Sequence, residues 1–186
     1  MEEDQLSKLE KAQIAYKAFP DEFKTLQMAT VDSKGFPEAS YSPYVKVDND
    51  YYVYVSELAS HTQNLMDNKV ASIFFVEDES ESKHLFVRRR LSYACEVEEV
   101  ERGNSEFNSV LDAYADKFQE KFISMLRDLE DFHLFRLTPT KGDFVNGFGQ
   151  AFRTTGEGLS ILEHKNEAGH RSTSEKTDKQ MDAMAD

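Results

Sequence analysis

Apolar positions recur at helical spacing only at the start of the chain and once past its middle; elsewhere they recur every second residue. Leu6, Leu9, Gln13 and Tyr16 share one flank of the segment 5–19, and Pro20 stops it, so a first helix is predicted there. From Thr25 the period drops to two. A strand over 25–31 is followed by Asp32-Ser33-Lys34-Gly35, which has the chemistry of a hairpin turn. The next strand places Ala39, Tyr41, Pro43, Val45 and Val47 on one face, and Asp48-Asn49-Asp50 turns it into the strand 51–55. The segment 60–66 fits a short helix with Ser60 as N-cap. The run from Val70 to Val76 is unbroken and apolar, which reads as a strand buried on both faces. An acidic loop, Glu77-Asp78-Glu79-Ser80-Glu81, leads into a long strand from Leu85 to Val100. Beyond it, Phe107, Val110, Leu111, Tyr114 and Phe118 stand at i, i+3, i+4, i+7 and i+11, the apolar stripe of a helix.

The run from Asp131 to Pro139, followed by Gly147-Phe148-Gly149-Gln150-Ala151, reads as two strands around a polar corner. Phe132, Leu134 and Arg136 share one face, and His133, Phe135 and Leu137 the other. The glycines flanking Phe148 allow a bulge or a close backbone approach that re-aims the second strand. From about Glu163 aromatic residues vanish and polar ones dominate. The chain therefore divides into a domain over 1–162 with an N-terminal helix and a flexible polar tail over 163–186. Six or seven strands with tight turns and few helices make a mainly β fold, an antiparallel barrel that is closed or nearly so.

Composition narrows the function classes. The chain has 186 residues, fourteen of them Phe and eight Tyr, enough for a true core. Its formal charge of −13 argues against nucleic acid as a partner, because phosphate binding needs a basic surface. A local arginine cluster can still hold a small anion. One cysteine, Cys95, allows no intramolecular disulfide and no multi-cysteine metal site. The acidic start, Met1-Glu2-Glu3-Asp4, has no apolar stretch of a secretory signal, and no run of apolar residues is long enough to span a membrane. The expectation is a cytoplasmic protein.

Arg88-Arg89-Arg90 lies inside the predicted long strand. Period two puts Arg88 and Arg90 on one face, a fixed guanidinium pair suited to phosphate or carboxylate, unless nearby acids such as Glu96, Glu98 or Asp131 take them. Five histidines, His61, His84, His133, His164 and His170, are candidate iron ligands, but no pair has zinc spacing on a helix. His133 shares a strand face with Phe135 and Leu137 and reads as a packed core residue. His84 reads as solvated after the acidic loop, and His164 and His170 lie in the tail. The glycine of Ala168-Gly169-His170-Arg171 supplies the backbone freedom with which a loop folds over a flat ligand.

Several of these segments together resemble a known superfamily. The stretches Leu26-Gln27-Met28-Ala29-Thr30-Val31-Asp32 and Pro37-Glu38-Ala39-Ser40-Tyr41-Ser42-Pro43 resemble the start of the FMN-binding split barrels typified by pyridoxamine phosphate oxidase. Within it, Ser56-Glu57-Leu58-Ala59-Ser60-His61-Thr62-Gln63-Asn64-Leu65, the Arg90-Leu91-Ser92 step, the Asp131-Phe132 hairpin and Gly147-Phe148-Gly149-Gln150-Ala151 resemble the HugZ/HutZ-type haem-utilisation branch. The resemblance covers roughly 20–155, with the Gly-His element of the tail in addition. It implies a homodimer of split barrels with haem at the subunit interface, as both cofactor and substrate of oxygen-dependent ring opening driven by an external electron donor. By the same resemblance His170 is the iron ligand, Asp131 hydrogen-bonds its imidazole from the partner subunit or its own, and Arg90 stands on the opposite side of the iron. Arg88, from the face it would share with Arg90, is the expected partner of a haem propionate.

The wider superfamily leaves alternatives open. Flavin-binding split barrels often place a lysine where this chain has Gln63, so an FMN phosphate loses a charge-assisted contact worth about 1.5–3 kcal/mol. Arg88, Arg90, Ser56 and Thr62 offer a substitute phosphate pocket. An FMN-dependent oxidoreductase and a non-catalytic haem-delivery protein therefore stand beside haem degradation.

Overall fold

The period-two stretches become strands because alternate side chains meet a core on one face and solvent on the other, and one closed ladder collects them. The computed structural model describes residues 6–165. In it β1 (Thr25–Val31), β2 (Pro37–Val47), β3 (Asp50–Ser56), β4 (Val70–Val76), β5 (Arg90–Val100), β6 (Phe132–Val145), β7 (Ala151–Thr155) and β8 (Ile161–His164) hydrogen-bond in the order β3-β2-β1-β4-β5-β6-β7-β8. An additional β3–β6 pairing closes the first six into a barrel, leaving no open edge among them. The β1–β2, β2–β3, β3–β6, β6–β7 and β7–β8 ladders are antiparallel. Four helices, α1 (Lys8–Ala18), α2 (Ser60–Asn68), α3 (Ser105–Phe118) and α4 (Glu120–Arg127), complete the described residues. The antiparallel split barrel expected from the sequence is the fold observed.

Two compact units divide the chain. One comprises the N-terminal residues to Phe23, Phe74–Tyr93 and the chain from Lys141. Here the capping box of Ser7 and Glu10 starts α1, whose buried residues are Ala12 and Tyr16 rather than the predicted Leu9, which is exposed. The rings of Tyr16 and Phe19 each lie tilted against Phe144 at 5.6 Å, and the Tyr93 hydroxyl donates to that of Tyr16 at 2.6 Å. The other unit, Lys24–Ile73 with Ala94–Thr140, packs Phe107, Val110, Leu111 and Tyr114 of α3 and Ile123 of α4 against Val45, Tyr52, Tyr54, Val100 and Leu134.

Several boundaries differ from the sequence reading. The long strand predicted from Leu85 begins only at Arg90, because Leu85–Val87 coil into a single 3-10 turn. The run Val70–Val76 alternates rather than being buried throughout: Ala71, Ile73 and Phe75 point inward while Val70 and Ser72 are exposed. On β2 the face of Ala39, Tyr41 and Pro43 is the exposed one, and Ser42 and Tyr44 are buried. Helix α4 was not foreseen. Nor does the polar stretch after Pro139 form the corner; β6 continues through it to Val145, and Asn146–Gln150 makes the turn, with Gly147 at φ 135° and Gly149 at φ 69°. Those two left-handed positions, not a bulge, are what the glycines supply.

Candidate functional site

Among the described residues, two groups of side chains contain most of those singled out by sequence, one in each unit. In the second unit, the turn from β3 into α2 meets the start of β6. The Ser56 hydroxyl donates to Asp131 Oδ2 at 2.8 Å and accepts from the Leu58 N–H at 3.1 Å. The Glu57 N–H donates to the Asp131 carbonyl at 2.9 Å. Thr62, fully buried, donates from Oγ1 to the Ser56 carbonyl at 2.6 Å. Ser56, Thr62 and Asp131 are thus brought together, with Asp131 held through both its side chain and its backbone. Two residues on, His133 lies between two carboxylates, Nδ1 2.7 Å from Glu99 and Nε2 2.9 Å from Glu57. It is a bridging imidazole, not the packed core residue its neighbours suggested. Carboxylates only accept, so both ring nitrogens must donate. Burial opposes that charged form, but the hydrogen bonds and charges of Glu99 and Glu57 outweigh it and hold the His133 pKa above the ordinary 6.5.

Close by, the first turns of α2 meet an acid. Ser60 donates to Glu38 Oε1, Asn64 Nδ2 to Glu38 Oε2 at 3.1 Å and to Thr30 Oγ1 at 3.0 Å, and Gln63 Nε2 to Asp67 at 2.8 Å. Ser60 lies inside the helix, and Ala59 is the N-cap. His61, half-buried beside this cluster, has its pKa lowered by burial, against the pull of Glu38. Donors that a flavin phosphate would use are here satisfied by a carboxylate, and a dianion beside Glu38 would be repelled. This donor set does not fit an FMN phosphate. Glu38 was missed by the sequence reading, since nothing local links it to Asn64 twenty-six positions away.

In the first unit the three arginines diverge. Arg88 lies before β5, so the shared face with Arg90 does not exist. Its Nε donates to the Glu77 carbonyl at 2.9 Å, as does Nη2, and Nη1 reaches Glu79 at 3.4 Å. Arg89 forks onto Glu77 and Glu22, at 2.9 Å in both cases, and lies 5.0 Å over the Phe19 ring. The acids that take these guanidiniums are therefore Glu77, Glu79 and Glu22, not Glu96, Glu98 or Asp131. Glu98 instead pairs with Arg136.

Arg90 is different. Half-buried, it donates Nη1 to the Arg88 carbonyl at 3.0 Å and lines a cleft of about 230 Å³ with Phe86, Val87, Val145, Gly147, Phe148, Gly149, Gln150, Ala151 and His164. Phe86, 89% exposed, stands at its rim on the 3-10 turn. His164 is not in a polar tail but on β8, edge-on to Phe152 at 5.0 Å. His84 is exposed and caps the 3-10 turn through Nδ1, accepting from the Phe86 N–H at 3.3 Å. Cys95 is buried and its thiol pKa is pushed up to about 12, so it is unreactive. His170, the expected iron ligand, lies outside the described residues. Among those residues no group of three or more His, Cys, Asp or Glu is arranged to hold a metal ion.

Comparison with known proteins adds relatives to this geometry. The pyridoxamine 5'-phosphate oxidase family model matches residues 12–146. The chain is 44% identical over 158 residues to the Vibrio cholerae protein named heme oxygenase HutZ, covering 85% of this chain and 89% of that one. Among solved structures, HutZ from Vibrio cholerae, described there as a heme storage protein, superposes with a TM-score of 0.69 at 39% identity, over 76% of this chain and 97% of that one. Campylobacter jejuni ChuZ does so with a TM-score of 0.80 at 29% identity, over 91% and 68%. A heme binding protein from Mycobacterium smegmatis gives 0.69 at 26% identity, over 84% and 61%.

Proposed function

We propose, from the premise that this chain belongs to the pyridoxamine 5'-phosphate oxidase family and within it to the HutZ-type haem-utilisation proteins, that it binds haem and opens the porphyrin with oxygen and an external reductant. The observation that carries the reading is the cleft beside Arg90. Its walls, Phe86, Val87, Val145, Phe148 and Ala151, are apolar and partly aromatic, and its polar groups are few: Arg90, Gln150 and His164. That combination suits a flat macrocycle with an apolar body and charged edges. An FMN phosphate placed at the start of α2 would meet the Glu38 carboxylate, which disfavours a flavin there.

Haem, when bound, supplies the redox iron and is itself the ring that is cut. The protein's share is position, donor strength and exclusion of water. His170 would hold the iron. Asp131 would accept the imidazole N–H of that ligand; a carboxylate has capacity for this beyond the bond it already accepts from Ser56. Arg90 would contribute a guanidinium to the polarity of the cleft that takes the ring. Ser56 and Thr62 then serve Asp131 and its turn rather than a phosphate. Arg88, spent on Glu77 and Glu79, has no part in this scheme. We also take the active form to be a homodimer with the site at its interface. Supporting this, Phe36 and Tyr41 are 67% and 68% exposed on and beside the outward face of β2, and Leu58 is 93% exposed after β3.

The test is a haemin titration followed, in the same cuvette, by ascorbate and catalase under air. A saturable Soret band that decays with release of iron and a linear tetrapyrrole is the expected result. His170→Ala should abolish the ordered spectrum, and wild-type-like binding by that variant would count against the assignment. A second reading, haem storage without degradation, has support in the description given to the solved HutZ structure. A Soret band that persists would favour it, and no Soret change at all would end both.

A further inference from the structure

We propose that Arg102 is a positioning residue for Asp131, holding the connector from which that carboxylate projects; this rests on Asp131 as the acceptor for the haem ligand. The connector is only four residues, 128–131, between the last residue of α4 and the first of β6. The Arg102 guanidinium collects three carbonyls around it: Nη1 donates to Arg127 at 2.7 Å, and Nη2 to Leu129 at 2.8 Å and to Phe132 at 2.9 Å. Two of those carbonyls flank Asp131, one on each side, and lie beyond α4, so the contact is more than a helix cap. The Asp131 carbonyl and carboxylate are taken in turn by Glu57 N–H and Ser56. Between them these bonds fix the 129–130, 131–132 and 132–133 peptide planes and one carboxylate oxygen of Asp131.

Arginine is required here by geometry. A guanidinium is a planar fork of five donors, while an ammonium is one point on a flexible stem. The sequence aims it through a turn after β5, where Gly103 takes φ 88° before Asn104 caps α3. The guanidinium then lies 5.3 Å over the Phe107 ring and 3.4 Å from the Tyr54 hydroxyl. Bonds to a charged donor are about twice as strong as neutral ones, and three of them converge on one short segment.

The experiment compares Arg102→Met, Arg102→Lys, Asp131→Asn and the double variant R102M/D131N in the full chain. Two readouts besides turnover are used. Amide hydrogen exchange over 128–132 reports whether the connector is held. The iron–histidine stretching band of the dithionite-reduced haemin complex, by resonance Raman, reports the hydrogen bond to the axial imidazole. The expected result is faster exchange in R102M and a band shifted in the same direction as in D131N. Turnover should fall about 10–100-fold, with haemin affinity changing far less. Lysine should restore neither readout, and the double variant should shift no further than D131N alone. Unchanged exchange in R102M, or losses that multiply in the double variant, would overturn the proposal. Should D131N itself leave the band in place, Asp131 is not the acceptor and the role of Arg102 towards haem falls with it; faster exchange in R102M would then tell that failure apart from one at Arg102. Arg102→Gln is read in the same way if the methionine chain does not fold.

Discussion

Gly142 shows how much one side chain can decide. A Cβ there would stand 2.6 Å from Tyr93 Cδ1 and Cε1 and 2.7 Å from Thr154 Oγ1. The Tyr93 ring cannot swing aside, because its hydroxyl is engaged with Tyr16 at 2.6 Å. Gly142→Ala should therefore destabilise the fold by about 1–3 kcal/mol, the usual cost of overpacking a filled core. A urea midpoint unchanged from wild type would show that the pocket gives way. The residue scale is also where the sequence was least readable for chemistry. Arg88 was visible as unusual, yet its partners Glu77 and Glu79 were known only as an acidic loop. Arg102 stood out less, a lone cation after Glu98-Glu99-Val100-Glu101, and nothing local reveals three carbonyls waiting some thirty residues further along.

His133 belongs to the scale of elements, since it fastens β6 to Glu99 of β5 and to Glu57 in the turn between β3 and α2. Its pKa in the fold is above 6.5, so folding binds the proton more tightly than the unfolded chain does. The clamp's stabilisation is complete below the unfolded value and fades as pH rises through the folded one. Stability measured by denaturant should accordingly decline as pH is raised past about 6.5, and His133→Gln should flatten that part of the profile. A decline of the same size in the variant would place the effect elsewhere. Elements with a long apolar stripe were read correctly: α3 buries Phe107, Val110, Leu111 and Tyr114 as its spacing demands. Helix α4 escaped because it is only eight residues long, so its apolar residues Phe122, Ile123, Met125 and Leu126 span little more than one turn and set up no recurring stripe.

At the scale of the whole molecule the decisive quantity is charge. A net charge of −13 surrounds a cleft proposed to accept haem, which carries propionates of the same sign. Arg88 and Arg89 are consumed by Glu77, Glu79 and Glu22, so the local positive field is small. The rate of haemin association should then rise with salt, as screening weakens the repulsion over the roughly 10 Å Debye length at 0.1 M. A rate that falls with salt, in stopped-flow mixing, would mean that Arg90 and its neighbours outweigh the global field. The same ladder closure that leaves no edge among six strands also brings residues 56 and 131 together, which no linear pattern announces.

Alternation, turn chemistry and helical stripes determine the strands, the β2 hairpin and α3, because each depends on neighbours within a few positions. The motifs carrying the family resemblance are likewise continuous stretches of sequence. What tertiary structure alone decided is who partners whom. Asp131 with Ser56, His133 with two glutamates, Glu38 with α2 and Arg102 with the connector are contacts across 22 to 76 positions. They exist because the barrel closes and α4 folds back, and a charged side chain then takes the nearest compatible group that spares it an unpaired burial.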